Sequence, residues 1–176
     1  MTAFAAEIVR ASAGDAQDLS VLSAELFPLG CPADTAAADL AAYIDRELTP
    51  ERFRSLLEDD CNAILVARIS SKLAGYAMIA RAAAPQPSLA NCELRKFYIA
   101  PAYHGTGIAH ALMEQVLGLA ADTPDTGLWL SVFSGNTRAI AFYRRWGFRV
   151  TGIHDFLVGS DPQRDFLMER ESPAGP

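Results

Sequence analysis

The stretch that most constrains this chain is Glu93–Ala109, ELRKFYIAPAYHGTGIA, where an apolar strand passes Pro101 and a glycine-spaced turn opens a helix. Leu94 and Ile99 are five positions apart, so a regular strand would put them on opposite faces. One extra residue between them, a β-bulge, would bring both to the core and leave backbone groups unpaired. A strand buried on both faces would need no alternation at all, and the residues leave both arrangements open. In the turn, Gly105-Thr106-Gly107-Ile108-Ala109, small residues let the backbone approach a bulky anion. The first turn of the helix supplies free N–H groups and the positive end of its dipole. Together these read as a diphosphate cradle. A dinucleotide fingerprint would need a third small residue where His110 stands, and no acidic residue follows at the end of the next strand. A P-loop would need Gly-Lys-Ser/Thr, which does not follow.

The rest of the 176-residue chain arranges itself around this segment as one expected domain, residues 1–176. Glu7–Ser12 reads as a strand, and Asp15–Phe27 and Asp34–Leu48 as amphipathic helices. Thr49-Pro50 caps a third helix to Glu58. Ala63–Ile69 and Leu73–Arg81 form a hairpin about Ser70-Ser71-Lys72, and Pro85 and Pro87 mark a loop. Gly107–Ala121 is a helix, Leu128–Phe133 a strand, and Asn136–Trp146 a helix capped by Gly147. Phe148–Val158 and Asp165–Glu169 close the sheet, with Asp161-Pro162 as the expected turn, and Ser172–Pro176 is a tail. This order predicts an α/β (α+β) layer fold with helices on both faces of a mixed sheet.

Composition narrows the function classes. The chain is 51% hydrophobic and 20% charged, with a net charge of -6. Acidity argues against nucleic acid and against a polybasic membrane contact, and it suits a cationic small substrate. No apolar stretch reaches the ~20 residues that span a bilayer. Met1–Ile8 carries no basic-then-apolar pattern of a signal peptide. Cys31, Cys61 and Cys92 are odd in number and form no CxxC, so reduced thiols in a cytoplasmic protein are expected, with no disulfide framework and no metal site.

Asn136 and Tyr143 are seven apart, two helical turns, and share a face. A tyrosine there could be a general acid, since its pKa near 10 lets it protonate a departing thiolate. It could equally be a core aromatic beside Phe142 and Trp146.

These residues resemble the GCN5-related N-acetyltransferases (GNAT). The resemblance spans Ile8–Met168 and is strongest in ELRKFYIAPAYHGTGIAHALM (Glu93–Met113) and LSVFSGNTRAIAFYRRWGF (Leu130–Phe148). The family's Gln/Arg-x-x-Gly-x-Gly/Ala signature aligns on His104, Gly107 and Ala109, with His104 departing from it. The resemblance implies a largely antiparallel twisted sheet of six to seven strands, with a V-shaped splay between the fourth and fifth. It implies acetyl-CoA as cosubstrate, with backbone groups of Phe97, Tyr98 and Ile99 pairing with the pantetheine. Amides of His104, Gly105, Thr106, Gly107, Ile108 and Ala109 would hold the diphosphate. Asn136 would orient the pantetheine or the adjoining loop, and Tyr143 would protonate the CoA thiolate. A short C-terminal pattern, from Gly152 through His154, Phe156, Gly159, Asp161, Gln163 and Asp165 to Met168, resembles the PaiA-like polyamine branch.

The implied reaction is direct attack by an amine, transferring acetyl to a primary amine of a small molecule or polyamine. The alternatives are a protein lysine or N-terminal acetyltransferase and a non-catalytic acyl-CoA-binding module. An ammonium with a pKa near 10.4 must first lose a proton. Glu93 is the first candidate base, with His154 and Asp155 behind it. No Cys-His or Ser-His nucleophile pattern is evident, so no acyl-enzyme is expected. Phe27, Tyr43, Glu93, His154 and Phe156 are expected to contact the acceptor, with Cys31 a further wall; Glu25, Asp39 and Asp45 could attract its charge, although fold or surface roles are the plainer reading for each. The Phe27–Pro32 stretch could close over it, and a homodimer is compatible with exposed closing strands.

Overall fold

The computed structural model describes residues 6–82, 84, 90–121 and 127–171. Seven strands form one sheet: β1 (Glu7–Arg10), β2 (Asn62–Ile69), β3 (Lys72–Arg81), β4 (Cys92–Ile99), β5 (Leu128–Phe133), β6 (Arg149–Val158) and β7 (Asp161–Arg170). Their spatial order is β1-β2-β3-β4-β5-β7-β6. Every neighbouring pair is antiparallel except β4 and β5, which run parallel. Five α-helices cover the two faces: α1 (Ala16–Leu26), α2 (Ala37–Glu47), α3 (Pro50–Glu58), α4 (Ile108–Ala121) and α5 (Thr137–Arg145).

Local chemistry sets the ends of these elements. Thr49 accepts a hydrogen bond from the Arg52 amide at 3.1 Å, and Pro50 follows at the first helical position of α3. Asn136 caps α5 in the same way, accepting from the Ala139 amide at 3.1 Å. Gly147, with φ +86°, ends α5 as expected, and the Phe148 amide turns back to the Tyr143 carbonyl at 3.1 Å. In the β2–β3 hairpin, Ile69 faces Lys72, leaving Ser70-Ser71 as the two-residue turn, both with positive φ.

The second hairpin differs from expectation. Val158 faces Asp161, so Gly159-Ser160 make the turn, and Asp161-Pro162 already belong to β7. Gly159 takes φ +60°, which it adopts without strain, and Asp39 of α2 accepts the Ser160 amide at 2.7 Å. Asp39 therefore braces this hairpin and does not face a substrate. Pro162 costs little here, because β5 pairs with β7 only from Asp165 onward.

The sheet separates two cores. On one face, Leu112, Met113 and Val116 of α4 and Ile140 and Tyr143 of α5 pack on Leu94, Leu130, Val132 and Met168. On the other, Leu19, Leu22 and Leu26 of α1 and Phe53 and Leu56 of α3 pack on Val66, Tyr76 and Met78. The loop expected at Pro85 and Pro87 and the tail from Ser172 lie outside the described residues. Among the described residues, no helix is long and apolar enough to cross a membrane.

Candidate active site

The pairing of β3 with β4 settles the register question. Met78 faces Lys96 while Ile79 faces Leu94, so Arg95 is an extra residue, a β-bulge in β4. Leu94, Phe97 and Ile99 consequently share the α4–α5 face, and Lys96 and Tyr98 turn to the α1–α3 face. Next to the bulge, β4 and β5 part. They pair only at Cys92–Leu128 and Glu93–Trp129, and then diverge. A cavity of about 1010 Å³ opens in the wedge and reaches both faces of the sheet.

Backbone direction in the wedge follows from the ladder. The Ala100 amide donates to the Ala74 carbonyl at 2.8 Å, which makes that pair hydrogen-bonded. Bonded and non-bonded pairs alternate along an antiparallel ladder, so Tyr98 bonds toward Tyr76 of β3, and Phe97 and Ile99 turn their amides and carbonyls into the gap. Tyr98 is thus corrected: its backbone is engaged within the sheet, although the residue lines the cavity.

At the mouth of α4 the glycine turn is open. Gly105 (φ +77°) and Gly107 (φ +90°) have no heavy atom within 4 Å of where a Cβ would stand. The amides of Gly105, Gly107, Ile108 and Ala109 have no acceptor among the described residues. Two expected donors are engaged instead: the His104 amide bonds Pro101 O at 3.1 Å and the Thr106 amide bonds Tyr103 O at 3.4 Å. Both acceptors, Pro101 and Tyr103, lie in the tight 3₁₀ turn that carries the chain from β4 toward α4, so that turn engages these two hydrogens. The Thr106 hydroxyl also bonds Tyr103 O, at 2.6 Å, and the Ile108 side chain is buried. The His104 ring turns back to the Ile99 carbonyl at 2.9 Å, capping the end of β4.

Tyr143 and Asn136 of the α5 end line the same cavity. Tyr143 is 8% exposed, packs edge-on against Phe97 at 6.3 Å, and its hydroxyl has no partner among the described residues. Burial pushes its pKa above the ordinary tyrosine value, so it holds its proton across the neutral range. The α4–α5 rim adds His110, tilted against Trp146 at 4.5 Å, together with Arg138 and Arg145.

The chamber on the opposite face is walled by aromatics. Phe27 stacks on Tyr43 at 4.2 Å with planes 6° apart, and Phe156 tilts against Tyr43 at 5.8 Å. Cys31 and the 3₁₀ turn Phe27–Gly30 line its edge. Burial pushes the Cys31 thiol up to about 11 and the Tyr43 hydroxyl up to about 12. Glu93 lines the chamber, but its carboxylate is tied to Arg95 at 2.8 Å. Lys96 is 8% exposed with no ion pair among the described residues, and burial lowers its pKa to about 8 against the opposing pull of Glu47.

His154 and Asp155 are corrected as well, while Glu25 and Asp45 are the surface residues of the plainer reading. None of them lines the cavity. Glu25, Asp45 and Asp155 are exposed, and His154 turns inward to the Ser131 hydroxyl at 2.7 Å. Ser131 in turn donates to Asp165 at 2.6 Å. Ser131 and Asp165 both line the chamber, and sequence reasoning missed them. One signal was available: Ser131 is the lone polar residue of LWLSVF, a strand with buried neighbours.

The comparisons with known proteins agree with this geometry. The Acetyltransferase (GNAT) family profile matches residues 31–148. The chain is 40% identical over 157 residues to an uncharacterised N-acetyltransferase of Mycobacterium tuberculosis, covering 89% of this chain and 97% of that one. It is 31% identical to the N-alpha-acetyltransferase RimI of Mycobacterium tuberculosis, covering 77% and 84%. Among solved structures, the PaiA N-acetyltransferase of Thermoplasma acidophilum in complex with coenzyme A superposes with a TM-score of 0.77 at 19% identity, over 96% of this chain and 99% of that one. A seven-stranded sheet split between β4 and β5, an open glycine turn at α4 and these sequence matches agree, and the chain belongs to the GNAT family of N-acetyltransferases.

Proposed function

We propose that the protein transfers acetyl from acetyl-CoA directly to a primary amine of a small molecule. The observation that carries this is the two-faced wedge: an open amide turn and Tyr143 on one side, and an aromatic chamber with the Ser131-bonded carboxylate of Asp165 on the other. The residues fit the cosubstrate. The amides of Gly105, Gly107, Ile108 and Ala109 suit a diphosphate, and the α4 dipole adds to their field. The gap-facing amides of Phe97 and Ile99 suit an extended polar chain laid beside β4, and one of them would polarise the thioester carbonyl. Asn136 holds the start of α5 and so sets where Tyr143 sits.

In this reading the amine nitrogen forms a bond to the thioester carbon, and the carbon–sulfur bond breaks. Tyr143 gives its proton to sulfur and regains one from the new amide nitrogen. Burial penalises thiolate and phenolate alike in that apolar wall, which favours the protonated products. Tyr143 also speaks against a non-catalytic binding module, which has no use for a protonated hydroxyl aimed into the cavity.

The chamber favours a short amine over a polycation. Glu47 and Glu93 are occupied by arginines, and Arg52, Arg95 and Lys96 line the same space. Phe27, Tyr43 and Phe156 would hold the acceptor's apolar part. A second reading, acetylation of a protein N-terminus, draws support from the likeness to RimI. Thiol release from acetyl-CoA with a panel of monoamines, spermidine and short peptides separates them. Monoamines are expected to turn over fastest; activity confined to peptides overturns the small-molecule reading, and no stimulated release by any amine overturns acetyl transfer. Three free thiols support a reducing, cytoplasmic setting, and the exposed Val150 and Leu157 on edge strand β6 support a homodimer.

A further inference from the structure

The geometry points to Asp165, held by Ser131 and His154, as the group that takes the acceptor's proton. The assignment rests on the acetyl-transfer reading above and names the base that reading lacks. Three observations carry it. Asp165 lines the acceptor chamber and is itself only 6% exposed, so its carboxylate is largely desolvated. One of its oxygens is fixed by the Ser131 hydroxyl at 2.6 Å, and Ser131 is fixed by His154 Nε2 at 2.7 Å, a chain across three adjacent strands, β7, β5 and β6. Asp165 has no ion pair among the described residues, whereas the competing carboxylates Glu93 and Glu47 are bound by Arg95 and by Arg46 and Arg52.

A carboxylate that is desolvated and lacks a cation is a better proton acceptor than one that is ion-paired. The groups facing it agree with this. Burial raises its pKa, while the Ser131 hydroxyl and His154 work against that rise. Cys31, from the turn after α1, stays a neutral thiol beside it, and Gln163 of β7 bonds Thr35 and Asp161 instead. Across the cavity stand Tyr43, Glu47, Glu93 and Lys96.

The protons balance. The ammonium gives one proton to Asp165, which becomes a neutral acid. The freed nitrogen attacks the thioester, sulfur departs, and the nitrogen's second proton ends on sulfur by way of Tyr143. Asp165 then releases its proton to solvent, giving amide, free thiol and one proton per turnover.

The experiment compares wild type with Asp165→Asn, using benzylamine and spermidine as acceptors from pH 6 to pH 10. At pH 7 the variant should lose about 10²–10⁴-fold in kcat/KM. Its rate should then climb about tenfold per pH unit toward each acceptor's own ammonium pKa, above which base assistance is no longer needed. Acetyl-CoA affinity by calorimetry should not change. A variant that matches wild type at pH 7, or one whose deficit persists at pH 10 as a raised KM, overturns the base assignment and leaves the transferase reading standing. A wild type that acetylates neither amine and no peptide overturns both. If Asp165→Asn fails to bind acetyl-CoA, Ser131→Ala decides. It should move the acidic limb of the wild-type pH profile upward, and an unmoved limb overturns the assignment.

Discussion

Gly107→Val tests the amide turn with a change whose two costs can be told apart. Gly107 has φ +90°, where an L side chain is strained, at about 1–2 kcal/mol. Nothing within the protein lies within 4 Å of the added Cβ, so no clash is added to that strain. Thermal stability should fall by roughly 2–8 °C, at about 2–4 °C per kcal/mol for a chain of this size. The binding cost is larger. The valine branches would stand over the open amides of Gly107 and Ile108, and two hydrogen bonds to a charged diphosphate contribute about 3–6 kcal/mol. That corresponds to a CoA Kd weakened about 10²–10⁴-fold. Calorimetry with CoA, and with pantetheine as a ligand lacking the diphosphate, separates the terms. CoA should lose its affinity while pantetheine keeps its own. A CoA Kd within about threefold of wild type, in a protein that still shows the lowered melting temperature, would refute the cradle.

Three further outcomes follow from the same geometry. Tyr143→Phe should lower kcat by about 10²–10⁴-fold at pH 7 with acetyl-CoA affinity intact, and stopped-flow thiol release that is unchanged removes the acid role. Phe27→Leu keeps the wall filled but removes the stack on Tyr43, at about 0.5–1.5 kcal/mol, so KM for the acceptor should rise about 2- to 12-fold while KM for acetyl-CoA stays put. Lys96 is depressed from 10.5 to about 8, so the unfolded chain holds a proton that the folded chain gives up between those values. Stability must therefore rise with pH across that window. Lys96→Met should abolish this rise and stabilise the protein at pH 7 by up to ~3 kcal/mol in urea titration; an unaltered pH slope would show that Lys96 is not desolvated.

The sequence made the elements legible wherever a local signal decides them. Thr49-Pro50, Asn136 and Gly147 mark helix ends by chemistry that needs no distant partner. It failed where a distant partner decides. Asp161-Pro162 carries good turn chemistry, but Gly159-Ser160 takes the turn, and Asp39, 121 positions away, caps it. Leu94 and Ile99 pose the bulge question, and only the register of β3 answers it. His104 and Thr106 sit inside the glycine motif, yet the preceding 3₁₀ turn has already engaged their amides. The Asp165–Ser131–His154 chain was invisible for the same reason, since its members come from three strands that only the folded sheet makes adjacent.

Much of the site traces to one inserted residue. Were Arg95 paired as an ordinary strand residue, the alternation of β4 would run on unbroken through it, and every side chain after Arg95 would change faces. Lys96 and Tyr98 would then enter the α4–α5 core, and Phe97 and Ile99 would leave it. The bulge also interrupts the ladder and sharpens the local twist, and β4 leaves β5 in the residues next to it. The same defect therefore opens the wedge, turns the Phe97 and Ile99 amides toward it, and puts Phe97 against Tyr143 on one face and Lys96 beside the acceptor chamber on the other. Deleting Arg95 leaves Lys96, Phe97, Tyr98 and Ile99 on their present faces but removes the interruption and its added twist, so β4 should stay beside β5 and CoA binding and acceptor turnover should be lost together, even though Arg95 itself is an exposed residue whose ion-pair partner is Glu93. Arg95→Ala, which keeps the count of residues, should retain CoA binding. A deletion variant that still binds CoA with native affinity would place the origin of the wedge elsewhere in the sheet.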